Sequence, residues 1–221
     1  MKGHFERGVA KVVGWLLLRE LRGGVRGVFL RGSFPSPPFV LAMNHHSYFD
    51  GHLVYLLFRL HKIKGKLLVS RENLEAFPIF ASLGALDAQR VRSAISALKD
   101  GEVVAVFPEG ELRTHGELGE FKRGAAFLAE KAGVPLVPMV ARLSLRGFSR
   151  PEAYLWIGEP VSPEKLRPTM LAMLTELDQA LRDRHPREPV PGYNLVFSGT
   201  FGFDEKLARF SQAVGKMLRM R

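Results

Sequence analysis

The sequence has 221 residues, of which 46% are hydrophobic and 24% charged, with 32 lysines and arginines against 22 acidic residues. This length and apolar content suit one folded domain with a core, and they exclude a disordered or fibrous protein. The absence of cysteine excludes a disulfide scaffold, a thiolate metal site and a cysteine nucleophile. The net charge of +10 favours anionic partners, namely nucleic acid, an anionic membrane or a phosphate-bearing substrate.

The N-terminal segment carries half of this excess charge. Residues 1–31 contain seven basic and two acidic side chains, with apolar residues between them at helical spacing. The apolar stripe consists of Val9, Val12, Val13, Leu16, Leu17 and Leu21, and Trp15 broadens it. No uncharged apolar run reaches the ~20 residues of a spanning helix. The pattern predicts a basic amphipathic helix over residues 1–24, which either lies on an anionic membrane or packs on the domain core.

Strand-like and helix-like patterns alternate through residues 25–184. Strands are predicted at 25–30, 39–43, 66–69, 103–107, 134–140 and 153–158, and helices at 51–60, 72–81, 91–99, 121–131 and 163–184. This alternation predicts an α/β domain over residues 25–184, with a layered mixed or parallel sheet flanked by helices. The proline-rich run 185–192 predicts a linker, so residues 185–221 are expected to form a linker and a C-terminal basic helix.

The segment from Asn44 to Asp50 (NHHSYFD) follows a predicted strand and opens the next helix. A carboxylate such as Asp50, accepting from one imidazole nitrogen of His45, would orient the ring and leave the other nitrogen as a general base. The group that loses its proton could be a substrate hydroxyl, so no serine or cysteine nucleophile is required. A helix cap beside a surface histidine is the more common meaning of this spacing. The nearby histidines match no known spacing of metal ligands, which argues against a metal site.

A second motif, Phe107 to Gly110 (FPEG), stands at the end of the β-branched run 103–107. Glu109 is therefore expected at the carboxyl end of a buried strand, where open α/β sheets bind their ligands. Gly110 would allow the backbone to approach a ligand closely. A simple turn is the alternative interpretation of this motif.

Two further sequence motifs accompany the NHHSYFD and FPEG motifs. Residues 84–90 read GALDAQR and residues 134–140 read VPLVPMV. Together with the NHHSYFD and FPEG motifs, they occur in the order and with the separations of the glycerolipid acyltransferase family, over about residues 25–160. The chain resembles this family, whose best-known members are the 1-acylglycerol-3-phosphate acyltransferases.

The resemblance implies a role for each matching residue. His45 would be the general base that deprotonates an acceptor hydroxyl, which then attacks an acyl thioester directly, and Asp50 would orient His45. Asn44 and Ser47 are implied as supports of the substrate-binding loop. Binding of the acceptor's phosphate and glycerol is assigned by the resemblance to Arg90, Glu109 and Gly110.

The sequence departs from the family after the FPEG motif. Glu111 and Leu112 stand where the family commonly has threonine and arginine, and Arg113 is displaced by one residue from the family's arginine. Arg113 is expected to reach the acceptor from its displaced position. Asp87 and Glu111 place negative charge beside the expected phosphate, which is an unfavourable arrangement. A hydroxyl acceptor without phosphate, such as a glycolipid, therefore stays open.

The resemblance implies a peripheral membrane acyltransferase at the cytoplasmic face. It would transfer an acyl group from acyl-CoA or acyl carrier protein to a lysolipid, foremost 1-acylglycerol-3-phosphate, giving phosphatidate, with no other cofactor and no metal. The expected partners are these substrates and an anionic membrane surface. A catalytically silent membrane-binding member of the family is the alternative. Nucleic acid is not expected, because no nucleic-acid motif is recognised and the basic residues interleave with apolar ones.

Overall fold

Hydrophobic segments of three to nine residues form one mixed β-sheet. The structure, a computed structural model, describes residues 2–114, 116 and 118–219. Its strands are β1 (Gly27–Arg31), β2 (Val40–Met43), β3 (Gly65–Val69), β4 (Ala85–Asp87), β5 (Val103–Val106), β6 (Leu136–Ser144), β7 (Glu152–Ile157) and β8 (Asn194–Ser198). They are arranged in the order β4-β3-β5-β2-β6-β7-β1-β8.

Helices connect and cover these strands. They are α1 (Lys2–Gly24), α2 (Asp50–Leu60), α3 (Arg71–Ala76), α4 (Val91–Lys99), α5 (Gly124–Ala132), α6 (Leu166–Arg182) and α7 (Phe203–Arg219), with short 3-10 helices at Pro78–Leu83 and Pro163–Lys165. One face of the sheet packs against α1 and α2, and the other against α4, α5 and α6. The predicted class, a mixed sheet flanked by helices, is confirmed.

The direction of the strands brings several loops to one edge of the sheet. Strands β2 to β6 run parallel to one another, so all five end at the same edge, here called the carboxyl edge. Strand β7 is antiparallel to β6, and β1 is parallel to β7, so both of these strands begin at the carboxyl edge. Strand β8 is antiparallel to β1 and therefore ends there. The loops after β2, β3, β4 and β5 can thus contribute to one site.

Helix α1 divides its predicted apolar stripe between the core and the solvent. Val13 and Leu21 are buried, and Gly14 lies so close to α2 that an added Cβ would stand 1.9 Å from the Tyr55 hydroxyl. Burial of a leucine such as Leu21 contributes roughly 2 kcal/mol. The other side of the helix exposes the apolar residues Val12, Trp15 and Leu16. One face of this helix thus packs on the domain core, as one of the two alternatives predicts, and the other face presents apolar surface to the outside.

The end of the chain contains a strand that the sequence pattern does not predict. Residues 194–198 form β8, which extends the sheet at β1, within the region expected to be linker and terminal helix. Its outer residues are exposed, so it lacks the apolar alternation that marks a half-buried strand. The helix predicted near the C-terminus is present as α7. No helix in the described part of the chain has the length and apolarity needed to cross a bilayer.

Candidate active site

The loop that follows β2, residues 44–50, lies at the carboxyl edge and is called here the base loop. His45 Nδ1 lies 2.8 Å from Asp50 Oδ2. The same carboxylate oxygen accepts the backbone N–H groups of His46 and Ser47, each at 2.8 Å. Asp50 is fully buried at the first residue of α2. Three donors therefore fix the carboxylate that faces the His45 ring.

The ring of His45 is oriented on a second side by Phe107. The two rings stack with centroids 4.2 Å apart and an angle of 15° between their planes. A quarter of the His45 side chain is exposed, and Nε2 has no hydrogen-bond partner among the described residues. A proton on Nδ1 would point at Asp50, and Nε2 would then be free to accept a proton from a substrate.

The neighbouring histidine has a different environment. His46 Nε2 accepts the backbone N–H of Leu143 at 3.1 Å, so its lone pair is used within the protein. Asn44 Oδ1 accepts the backbone N–H of Ala141 at 2.8 Å, and Asn44 Nδ2 donates to the Ala141 carbonyl at 3.2 Å. Asn44 and His46 thus fasten the base loop to β6. Of the two adjacent histidines, His45 is the one placed to act as a base.

Two side chains stabilise the base loop. Ser47 does so from within the loop, and Glu109 from the loop after β5, the strand that pairs with β2. Ser47 Oγ accepts the backbone N–H of Phe49 at 3.0 Å, which closes the turn into α2. Glu109, in the loop after β5, accepts the backbone N–H of His45 at 3.0 Å on Oε1 and that of Gly119 at 3.0 Å on Oε2. Its side chain is almost fully buried. Glu109 therefore joins three segments of the site through its own carboxylate.

Gly110 and Arg113 complete the loop after β5. Gly110 has φ +70°, in the left-handed region that favours glycine, and it lies against the end of the Lys122 side chain. The backbone N–H of Arg113 donates to the His45 carbonyl at 2.9 Å. The Arg113 guanidinium lies 3.6 Å from Glu109 and also donates to Glu111. The charge of Glu111, unfavourable from the sequence alone, thus has a counter-ion in the same loop.

Arg90 lies at the same edge but apart from the base loop. It follows β4, which is three positions from β2 in the sheet, or about 14 Å at the usual strand spacing. Its side chain is exposed and forms no hydrogen bond or ion pair among the described residues. Arg71, which the sequence-based prediction does not include, follows β3. Strand β3 lies between β4 and β2, so Arg71 stands between Arg90 and the base loop. Its position directly after a predicted strand was the signal that could have identified it.

Arg71 also accounts for the second acidic residue at this edge. Arg71 Nε donates to Asp87 Oδ2 at 3.1 Å. The backbone N–H of Gln89, and after it the Arg71 guanidinium, hold the pKa of Asp87 below its usual range. Asp87 is therefore a charged but partnered carboxylate. Arg71 and Arg90, called here the arginine pair, leave a net positive charge on this part of the edge.

A contact between α1 and the base loop was also not foreseen. Glu20 of α1 accepts the Tyr48 hydroxyl at 2.8 Å and lies 3.2 Å from His52 Nε2. The hydrogen bond from Tyr48 is the main cause of a lowered pKa at Glu20. Tyr48 and His52 stand two residues before and two residues after Asp50. Helix α1 therefore contacts the chain on both sides of Asp50 in sequence, once in the base loop and once in α2.

Known proteins of one family are similar to this chain in sequence. A family model described as "Acyltransferase" matches residues 28–142. A 1-acyl-sn-glycerol-3-phosphate acyltransferase of Bacillus subtilis is 28% identical over 188 residues, which are 76% of this chain and 91% of that protein. The human 1-acyl-sn-glycerol-3-phosphate acyltransferase alpha is 30% identical over 178 residues, 69% of this chain and 61% of that protein.

A solved structure shares the fold. The crystal structure of the 1-acyl-sn-glycerophosphate (LPA) acyltransferase PlsC from Thermotoga maritima superposes with a TM-score of 0.53 at 24% identity. The match covers 82% of this chain and 80% of that one.

Proposed function

The chain belongs to the acyltransferase family, and from that premise we propose that it transfers a fatty acyl group to the free hydroxyl of 1-acylglycerol-3-phosphate. The donor is an acyl thioester, either acyl-CoA or acyl carrier protein, and the product is phosphatidate. The observation that carries this proposal is the His45–Asp50 contact of 2.8 Å with His45 Nε2 open at the carboxyl edge. Relatives of the same family bear this activity in their names.

The reaction needs one base and no covalent enzyme intermediate. His45 Nε2 accepts the proton of the acceptor hydroxyl while its oxygen attacks the thioester carbonyl carbon, so that a C–O bond forms. The C–S bond then breaks, and the imidazolium returns the proton to the leaving thiolate. The Asp50 carboxylate stabilises the imidazolium in between. The chain contains no cysteine, and this route requires none.

Recognition of a phosphate-bearing acceptor is supported by the arginine pair. A guanidinium donates to phosphate in a fixed fork, which suits both Arg71 and Arg90. The acidic neighbours that counted against phosphate have partners of their own, since Asp87 contacts Arg71 and Glu111 contacts Arg113. Glu109 has both oxygens engaged by backbone N–H groups, so we assign it to positioning the base loop rather than to holding glycerol.

The lipid substrate places the enzyme at a membrane surface. We propose peripheral attachment at the cytoplasmic face through the exposed side of α1, which presents Val12, Trp15 and Leu16 beside Arg19. Arg19 lies over the Trp15 ring, 5.3 Å from its centroid. Aromatic and basic side chains on one helix face are typical of helices that lie in an anionic interface.

Replacement of the proposed base tests the function directly. His45→Ala should lower turnover with lysophosphatidate and acyl-CoA or acyl carrier protein by about a thousandfold, because general-base catalysis is lost. His61→Ala, which removes an exposed histidine at the end of α2, is the matched control and should retain activity. Circular dichroism confirms that both variants fold. Full activity of His45→Ala would overturn the proposed mechanism.

A further inference from the structure

Helix α7 carries an apolar stripe that nothing in the described part of the chain covers. The side chains of Phe203, Leu207, Phe210, Val214 and Leu218 are between 37 and 79% exposed. At about 100° per residue these five positions fall within an arc of about 80° on the helix. Large exposed apolar patches on soluble domains mark sites of interaction rather than free surface.

The helix is fastened to the domain only at its beginning. Arg26 Nε donates to Glu205 Oε1 at 3.0 Å, and the Arg209 guanidinium lies 3.9 Å from the centroid of the Phe201 ring. Arg187 lies 3.8 Å from Asp204. At positions 210–216 and at 218, no side-chain hydrogen bond, ion pair or ring contact to another element is present among the described residues. The rest of α7 therefore projects from the domain with its apolar stripe intact.

The charged residues of α7 indicate an anionic partner. Residues 203–221 contain five basic residues and two acidic ones. Both acidic residues, Asp204 and Glu205, are engaged by arginines of the domain, whereas Lys206 and Lys216 are exposed. At about 100° per residue Lys206 lies next to the apolar arc and Lys216 lies on the opposite side of the helix, so the exposed basic residues belong to the polar face of α7. An apolar stripe on one side and basic residues on the polar face fit the boundary between acyl chains and anionic headgroups.

The topology places this helix at the edge that holds the site. Strand β8 ends at the carboxyl edge, and α7 follows five residues later. Helix α1 also ends at that edge, because it leads into the start of β1. The contact between Arg26 and Glu205 joins the two helix ends.

From these observations we propose that α7 is a second membrane-binding element, whose apolar stripe inserts into an anionic lipid surface on the side where the acceptor lipid enters. This inference rests on the proposed function for the nature of the substrate, and on the exposed stripe for the contact itself. With α1 it gives the enzyme two attachments, one toward each end of the chain. Two attachments fix the tilt of the carboxyl edge against the bilayer, which a single helix does not.

Site-specific labelling tests the contact without reference to activity. Because the chain contains no cysteine, Val214→Cys and Gln212→Cys each accept one environment-sensitive fluorophore. The two positions are about 160° apart on the helix, with Val214 in the stripe and Gln212 opposite. Vesicles of phosphatidylcholine mixed with phosphatidylglycerol should shift the emission at Val214 to the blue and leave Gln212 unchanged. Equal responses, or none, would overturn the proposal.

Cosedimentation with vesicles measures how much the α7 stripe contributes to membrane affinity. Leu207→Gln combined with Phe210→Gln should weaken cosedimentation with the same vesicles at least about tenfold, because two apolar anchors are lost. The matched control is Phe127→Gln combined with Leu171→Gln. These exposed residues lie on α5 and α6, on the face of the sheet away from α1, and their replacement should leave vesicle binding unchanged. Turnover of a short-chain monomeric acceptor should be retained in both. If the α7 variant instead alters the oligomeric state in ultracentrifugation and leaves vesicle binding intact, the stripe serves self-association and the proposal fails.

Discussion

The base loop and the arginine pair lie at the same edge of one sheet, but the protein holds them in different ways. Asp50 is fully buried and accepts three hydrogen bonds, and His45 is oriented by Asp50 and stacked on Phe107. The Arg71 side chain is half exposed, and the side chain of Arg90 is exposed and has no hydrogen bond or ion pair among the described residues. The geometry for proton transfer is thus built before substrate arrives, whereas the geometry for acceptor binding is completed by the acceptor.

The largest effect is expected where the contrast is strongest, at Asp50. Asp50→Asn keeps an oxygen for the backbone N–H groups of His46 and Ser47 but removes the charge that stabilises the His45 imidazolium. Turnover should fall about a thousandfold while KM for the acyl donor stays the same. Steady-state kinetics on the folded variant measures both constants. A loss below tenfold would show that His45 works without its carboxylate.

A smaller loss of turnover is expected at Glu109. Glu109→Gln replaces one carboxylate oxygen by an NH₂ group that faces either the His45 or the Gly119 backbone N–H, so the base loop is displaced. Turnover should fall between about tenfold and a hundredfold, since misplacement of a base costs that much. The same kinetics separates this from direct acceptor binding, in which KM for lysophosphatidate would rise with turnover unchanged.

Replacement of either residue of the arginine pair should change KM for the acceptor rather than turnover. Arg90→Gln should raise KM for lysophosphatidate about tenfold with little change in turnover, because a charge-assisted contact to phosphate is lost. Monoacylglycerol, which lacks the phosphate, is the matched acceptor, and its KM should not change. Arg71→Gln should act in the same direction. Equal effects on both acceptors would contradict a phosphate role and would favour an acceptor of another kind.

The smallest effect is expected at Glu20, which links α1 to the base loop. Glu20→Gln should lower turnover about threefold, since a half-exposed contact contributes little. The Glu20 pKa is lowered, chiefly by the Tyr48 hydrogen bond, so its stabilisation is present above the unfolded pKa of about 4.3 and is lost as the pH falls through the lower folded value. The variant should therefore melt below the parent at neutral pH and together with it in acid. Glu6→Gln, on the same helix, is the control, and a constant difference at all pH values would contradict this account.

Local patterns in the sequence predict the parts of the fold that depend on local contacts. Most strands and helices between residues 39 and 182 follow from apolar periodicity, and their order predicts a layered α/β sheet. The exceptions are the three-residue strand β4, which is too short to show a pattern, and the helix predicted over 72–81, which ends at Ala76 before Pro78. Strand β8 could not be predicted this way, because its pairing with β1 joins segments far apart in sequence and most of its side chains are exposed. The division of the α1 stripe into a buried and an exposed side likewise depends on where α2 lies.

In the site, too, only contacts between residues close together in sequence could be predicted. His45 and Asp50 could be identified together because both belong to one short loop. The contacts from Glu109 to His45, from Arg71 to Asp87 and from Glu20 to Tyr48 each join separate elements. No spacing rule in one sequence contains them. The acidic residues that looked unfavourable were misjudged for this reason, since their counter-ions become neighbours only in the folded chain.

The position of β1 in the sheet has a consequence for biosynthesis. Strands β3 and β4 pair as soon as both are made, β5 then pairs with β3 and β2, and β6 pairs with β2. Strand β1 pairs with β7 and β8, which begin at Glu152 and Asn194. A growing chain therefore makes α1 and β1 first and incorporates β1 late, after most of the sheet has formed. During that interval the core cluster to which Leu21 and Val25 belong lacks its residues from the later strands. Helix α1 is thus available to a chaperone or a bilayer before the sheet beneath it is complete.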